Sequence, residues 1–151
     1  KVTLDPCTAH PLLFLSKDLR SVRRRRKWQD LPSFPERFDT VCCVLGREEF
    51  REGRHCWEVE VMWQRGICSR CALGVARASV KRKEEMVMSP EEGVWALQYD
   101  KGELKGLTSP PTPLSPSPVP TRIWVCVDCA REEVTFINAL NGVEIFTFPA
   151  A

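Results

Sequence analysis

The chain has 151 residues, a length that predicts one domain able to bury its own core without needing disulfides or a metal. Hydrophobic residues make up 43% and charged residues 28%, as in an ordinary globular protein, which argues against a disordered tail or a membrane protein. Twenty-two Lys and Arg against 20 Asp and Glu leave a net charge of +2, too small to make nucleic acid or an anionic membrane the default partner, so any basic site must be local.

The opening Lys1 to Pro6 has neither the apolar stretch nor the small-residue cleavage site of a secretory signal. With 12 prolines and 8 glycines punctuating the chain, long helices have little room and short strands are expected. The first is Leu12 to Leu15. Arg23-Arg24-Arg25-Arg26-Lys27 and Trp28 follow, the one strong charge run, suited to an acidic peptide or phosphate with an aromatic face beside it. A second strand is predicted over Val41 to Leu45. The clearest is Cys56 to Met62, where Trp57, Val59 and Val61 alternate with Glu58, Glu60 and Met62, so one face belongs to a core and the other to solvent. Further strands are expected at Cys71 to Ala76, Val94 to Tyr99, Arg122 to Val127, Glu133 to Ile137 and Val143 to Phe148, with Asn141-Gly142 turning the last hairpin. Ser109 to Pro120 holds six of the prolines and is read as an extended surface loop within the same domain. Their spacing predicts an all-β sandwich of antiparallel sheets.

Several motifs suggest chemistry. Cys68/Cys71 and Cys126/Cys129 are both Cys-x-x-Cys pairs, and four thiolates could hold zinc. About 54 residues separate the pairs, and residues three apart on a strand face opposite ways, so most of the eight cysteines are read as reduced thiols acting as small apolar residues. Glu58 and Glu60 lie about 7 Å apart along one strand face, a spacing shared with glycosidase carboxylates but expected of any outward charged row. His55 and Cys56 are adjacent, yet strand neighbours face opposite sides and cannot share a proton. No nucleophile elbow, phosphate-binding loop or dinucleotide fingerprint is present in the sequence.

The order of motifs resembles the PRY-SPRY domain found at the C-terminus of many tripartite-motif ubiquitin ligases and of butyrophilins. Leu4-Asp5-Pro6-Cys7-Thr8-Ala9-His10-Pro11, Leu15-Ser16 and Ser21-Val22 look like the PRY segment. Arg37-Phe38-Asp39, Val44-Leu45-Gly46, Phe50 and the run Gly53-Arg54-His55-Cys56-Trp57-Glu58-Val59-Glu60-Val61 come next in family order. Leu73-Gly74-Val75, Ser89 to Leu97, Thr108-Ser109-Pro110 and Phe146-Thr147-Phe148-Pro149 complete the match.

The resemblance implies a bent, concanavalin-like sandwich of two antiparallel sheets, with PRY over about 1–50 and SPRY over about 51–151. It implies a non-catalytic cytoplasmic module that needs no cofactor or metal and presents loop residues to a protein or peptide, with any ligase activity in a separate RING domain. On that reading the candidate contacts are Arg24, Arg25, Trp28, Gln64, Arg65, Met88, Gln98, Lys101 and Lys105. Arginine grips carboxylates, Trp and Met supply contact area, and Gln offers both a donor and an acceptor. Trp57, Trp95 and Phe136 are expected to be scaffold. DNA and membrane contact are not expected, and RNA is a lesser partner.

Departures from the family pattern shape the alternatives. Cys71 stands where the family usually has Trp, and Phe136-Ile137 where it has an aromatic pair. Butyrophilins that sense small phosphorylated ligands carry a histidine at the following position, where this chain has Ala72, so a ligand-sensing butyrophilin-like domain is the second reading; an RNA-binding or zinc-stabilised domain is the third. The family also continues for a strand or so past Phe148-Pro149. The chain is therefore expected to be C-terminally shortened, with dimerisation only through other domains or that edge.

Overall fold

The structure is a computed structural model that describes residues 2–62, 70–114 and 119–149. It forms two compact units, Lys1–Glu49 with Ser79–Val87, and Phe50–Ala78 with Met88–Ala151. Among the described residues every regular element is a strand except one 3-10 turn, Pro90–Glu92, and no helix is long and apolar enough to cross a membrane.

The first unit carries one hairpin, β1 (Leu13–Leu15) and β2 (Val22–Arg24), paired antiparallel with Phe14 opposite Arg23. Its turn is held by Asp18, whose carboxylate accepts from the Ser16 hydroxyl at 2.6 Å and the Arg20 amide at 3.1 Å; the Ser16 bond, helped by the amide, lowers the Asp18 pKa. β2 is absent from the sequence-based expectation because it is exposed on both faces and shows no apolar alternation. Conversely, Val41 to Leu45 is not a strand. Its backbone is taken up by the segment 5–10: the Asp5 amide donates to the Leu45 carbonyl at 2.8 Å, the His10 amide to Cys43 at 3.0 Å, and the Leu45 amide to the Thr8 hydroxyl at 3.0 Å. Those irregular partners satisfy the groups a ladder would have used.

The second unit is the sandwich. One sheet has the order β10-β9-β8-β3, built from β3 (Arg54–Glu60), β8 (Arg122–Asp128), β9 (Glu133–Asn138) and β10 (Glu144–Phe148). The other has the order β4-β5-β6-β7, from β4 (Arg70–Ala76), β5 (Val94–Asp100), β6 (Glu103–Gly106) and β7 (Thr112–Leu114). All pairings are antiparallel, as expected. The period of two along each strand sets the layers: Leu97, Tyr99 and Leu104 from one sheet meet Ile123, Val125, Val134, Phe136 and Phe148 from the other. Phe136 and Leu97 are fully buried, and Trp57 and Trp95 pack against the same cluster, in keeping with their expected scaffold roles. The sheets come close enough that a Cβ on Gly106 would stand 2.9 Å from the Phe146 ring.

Two strands of the second sheet, β6 and β7, are additions to the sequence reading. β7 lies inside the proline-rich stretch and contains Pro113, which an edge strand tolerates because its outward side needs no ladder donor. The β9–β10 hairpin does turn at Asn141-Gly142, with Gly142 at φ +74°, but through a longer loop: the Asn138 amide donates to Val143 at 2.9 Å and Ile137 opposes Glu144.

Candidate functional site

The basic run begins at the end of β2 and continues into a loop fixed from beneath. Gln29 does most of that fixing: its side-chain amide donates to the carbonyls of Pro11 at 3.1 Å and Leu13 at 2.7 Å, and its backbone amide donates to Pro11 at 3.1 Å. Arg25 is turned inward. Its amide donates to Leu12 at 2.8 Å and its guanidinium carbon lies 3.4 Å from the centroid of the Phe14 ring, a cation–π contact that makes it part of the hairpin's packing. Trp28 faces outward at 57% exposure, yet it is oriented, edge-on to His10 with ring centroids 5.2 Å apart and planes at 77°. Arg23, Arg24, Arg26 and Lys27 are exposed, and among the described residues none of the five cations forms an ion pair.

His10 is the buried support of this surface. Its Nδ1 accepts the Leu12 amide at 3.0 Å, and desolvation by burial, aided by the Arg24 charge, lowers its pKa against the opposing pull of Asp39. The sign follows directly. The unfolded imidazole takes up its proton near pH 6.5 while the folded one still resists, so stability is held above that pH and lost as pH falls through the folded pKa. Thermal unfolding followed from pH 7.5 to 5 is therefore expected to show a falling midpoint below about pH 6.5. His10→Asn, whose side-chain oxygen can still accept the Leu12 amide, is expected to remove the part of that slope due to this group.

In the second unit two of the other expected contacts, Gln98 and Lys105, sit on the outer face of the β4-β5-β6-β7 sheet. Ala72, Gln98, Lys105 and Pro113 are cross-strand neighbours in one row over all four strands. Gln98 and Lys105 are thus side by side and half-buried, and exposed Lys101 lies in the β5–β6 turn at φ +52°. Met88 belongs to neither row nor turn; it is half-buried in the segment leading to buried Ser89. Gln64 and Arg65 lie outside the described residues. Sequence reasoning missed Gln29 and His10 as positioning residues, since only the fold brings them beneath the loop.

The tetrathiolate reading is overturned. Cys126 is joined to Cys56 across β3 and β8 in a disulfide, and Cys71 packs against the core cluster from the opposite sheet. Cys68 lies outside the described residues, and among the described residues no three metal-ligating side chains gather. The pair also qualifies the expectation of reduced cysteines. Cys7, Cys43 and Cys129 are free thiols, and burial pushes the Cys43 thiol up to about 11. Glu58 and Glu60 form the outward row expected, Glu58 accepting from Trp124 Nε1–H at 3.1 Å and Glu60 lying 3.8 Å from Arg122. His55 stacks on Phe50 with centroids 4.4 Å apart, on the face opposite Cys56.

Two antiparallel sheets with an N-terminal hairpin unit define a β-sandwich binding module with no assembled catalytic group among the residues described. The SPRY-associated (PRY) domain family matches residues 2–50 and the SPRY domain family residues 54–150, so the chain belongs to the PRY-SPRY family. It is 48% identical to E3 ubiquitin-protein ligase TRIM58 of Mus musculus over 97% of this chain and 30% of that protein. It is 45% identical to butyrophilin subfamily 1 member A1 of Bos taurus over 99% of this chain and 28% of that protein. The chain spans less than a third of the length of these relatives. Among solved structures, the crystal structure of the TRIM65 PSpry domain shares the fold with a TM-score of 0.79 at 22% identity, covering 99% of this chain and 77% of that one.

Proposed function

We propose that residues 1–151 act as one PRY-SPRY domain that selects the substrate of a cytoplasmic tripartite-motif E3 ubiquitin ligase, by binding an acidic segment of a partner protein. The observation that carries this reading is the segment of residues 23–28: a run of cations, all but Arg25 exposed and none paired with a carboxylate among the described residues, ending in an aromatic ring that is open to solvent yet already oriented. A pre-oriented Trp loses little conformational freedom on binding, and neighbouring arginines can pair carboxylates with two parallel hydrogen bonds each. Gln98, Lys101 and Lys105 offer a second set of contacts, with Met88 supplying apolar area. Arg24 and Trp28 are the stronger candidates. Arg25, already engaged by Phe14, contributes chiefly by holding the loop.

A second reading, an intracellular ligand-sensing domain of a butyrophilin-like receptor, draws on the 45% identity to a butyrophilin. Ala72 in the outer-face row provides no imidazole for an anionic ligand, which favours the ligase reading.

The test is a peptide-display selection on the folded chain. Acidic peptides are expected to be enriched, with Trp28→Ala weakening binding about tenfold or more and Arg24→Ala weakening it several-fold, as truncation of interface anchors does. Enrichment of neutral peptides, indifference to Trp28→Ala, or preferential capture of RNA with a steep salt dependence would each overturn the proposal. In the whole protein, Trp28→Ala is expected to abolish ubiquitin transfer to the selected partner while leaving self-modification intact.

A further inference from the structure

On the outer face of the β10-β9-β8-β3 sheet, β3 and β8 meet in four cross-strand pairs: Arg54 with Asp128, Cys56 with Cys126, Glu58 with Trp124 and Glu60 with Arg122. Three are polar contacts, the first an ion pair at 3.6 Å, the third a hydrogen bond at 3.1 Å and the fourth an ion pair at 3.8 Å. The remaining pair is the disulfide, its Cα atoms 4.1 Å apart as in a non-hydrogen-bonded antiparallel pair. Among the described residues β3 is an edge strand with β8 as its one neighbour in the sheet, and Cys56 is exposed. Cys126 also lines an open depression of about 520 Å³ together with Asp128, Thr135 and Thr147.

We propose that Cys56 and Cys126 form a reversible redox-modification site that exchanges with low-molecular-weight thiols and disulfides of the glutathione class. Two features carry the proposal. Cys56 is exposed and half-buried Cys126 lines an open depression, so a small thiol can approach the pair from the solvent side, the property that separates exchangeable disulfides from buried structural ones. The seven-residue β3–β8 ladder also holds the two Cα atoms in register independently of the sulfur bond, so dithiol and disulfide share one backbone and neither form requires the sheet to rearrange.

The exchange balances as follows. One cysteine thiolate attacks glutathione disulfide, forming a mixed disulfide and releasing one glutathione thiolate. The second cysteine thiolate then attacks the protein sulfur of that mixed disulfide, closing the Cys56–Cys126 bond and releasing the second glutathione thiolate. Two electrons pass from the protein to the small disulfide, and the two cysteine protons leave to the medium or to the released thiolates. Reduction is the reverse and consumes two glutathione thiols. The closed bond ties the edge strand to β8 across a sequence separation of 70 residues. The proposal does not rest on the reading of the loop that binds a partner.

The test equilibrates the folded chain in glutathione mixtures from fully reducing to fully oxidising, traps free thiols by alkylation and maps the linked peptides by mass. The expected result is one two-electron transition in which the Cys56–Cys126 linkage appears and, on reversing the mixture, is lost again, with Cys43 unlabelled while the protein is folded. Cys56→Ser is expected to leave Cys126 carrying one glutathione per chain under oxidising conditions. A pair that stays reduced in the most oxidising mixture, a bond that survives the fully reducing one, or linkage among other cysteines would overturn the proposal. Should Cys56→Ser not fold, the titration of the unsubstituted chain decides alone.

Discussion

Gly74→Ala is expected to destabilise the sandwich by about 3 kcal/mol, at the upper end of what overpacking costs. Gly74 lies in mid-β4 opposite Ala96 of β5. A Cβ there would run into the Trp95 carbonyl oxygen and stand 2.6 Å from the Ala96 Cα. Both obstacles are backbone atoms in the middle of a paired strand, so no side chain can swing aside and the two strands must separate locally. That movement would loosen the ladder that positions Leu97 and Tyr99 in the core and Gln98 in the outer-face row. Urea unfolding followed by Trp fluorescence measures the loss. Ala72→Ser, likewise exposed on the same strand face but already carrying a Cβ, is the control and is expected to change stability by less than about 0.5 kcal/mol. A Gly74→Ala protein as stable as the original would show that β4 and β5 are not packed at this distance.

Arg37→Met is expected to cost the first unit about 2 kcal/mol, because it leaves the buried Ala9 carbonyl without a donor and removes two further charged hydrogen bonds. Arg37 is buried, and its guanidinium is the common donor to three backbone carbonyls from two segments: Nε to Pro32 at 2.8 Å, and Nη1 to Pro6 at 3.1 Å and Ala9 at 2.7 Å. The Phe34 ring lies 5.3 Å from the guanidinium carbon. A methionine of similar length fills the space but donates nothing. Lysine restores the charge without the planar fork, so Arg37→Lys is expected to recover only part of the loss. Because Pro6, Ala9 and His10 belong to one short segment, the defect reaches the support beneath Trp28. Loss of hydrogen-exchange protection at the Leu12 amide, which donates to His10 Nδ1, is the local readout, and full protection in Arg37→Met would refute the clamp.

How much of this could be read beforehand varies with the range of the interaction. β3 was legible because it alternates apolar and polar residues at a period of two, and β4, β5, β8, β9 and β10 because they are short runs rich in apolar residues between turn residues; both signals are local. β2 was not, since three exposed residues including two arginines carry no alternation. Nor was β7, since Pro113 argues against a strand unless the strand is known to be an edge. Val41 to Leu45 has strand composition, yet its amides and carbonyls find the irregular segment 5–10 instead, a long-range choice invisible to periodicity. Trp28 and the cations beside it were singled out by residue type alone. That Arg25 turns onto Phe14 while Trp28 stands edge-on to His10 required the hairpin to be closed and Gln29 to be bonded under it.

Alternating hydrophobicity, turn residues and the order of family motifs were enough, from the amino acids alone, to determine an all-β antiparallel chain of the PRY-SPRY type and which face of β3 turns inward. Tertiary structure decided the pairings: Cys126 with Cys56 rather than Cys129, Gln98 beside Lys105, and His10 beneath Trp28. The division has a physical cause. A strand's two faces follow from chirality and pleat within a few residues, whereas register between strands dozens of residues apart is settled by which combination buries the shared core and leaves no backbone group unpaired.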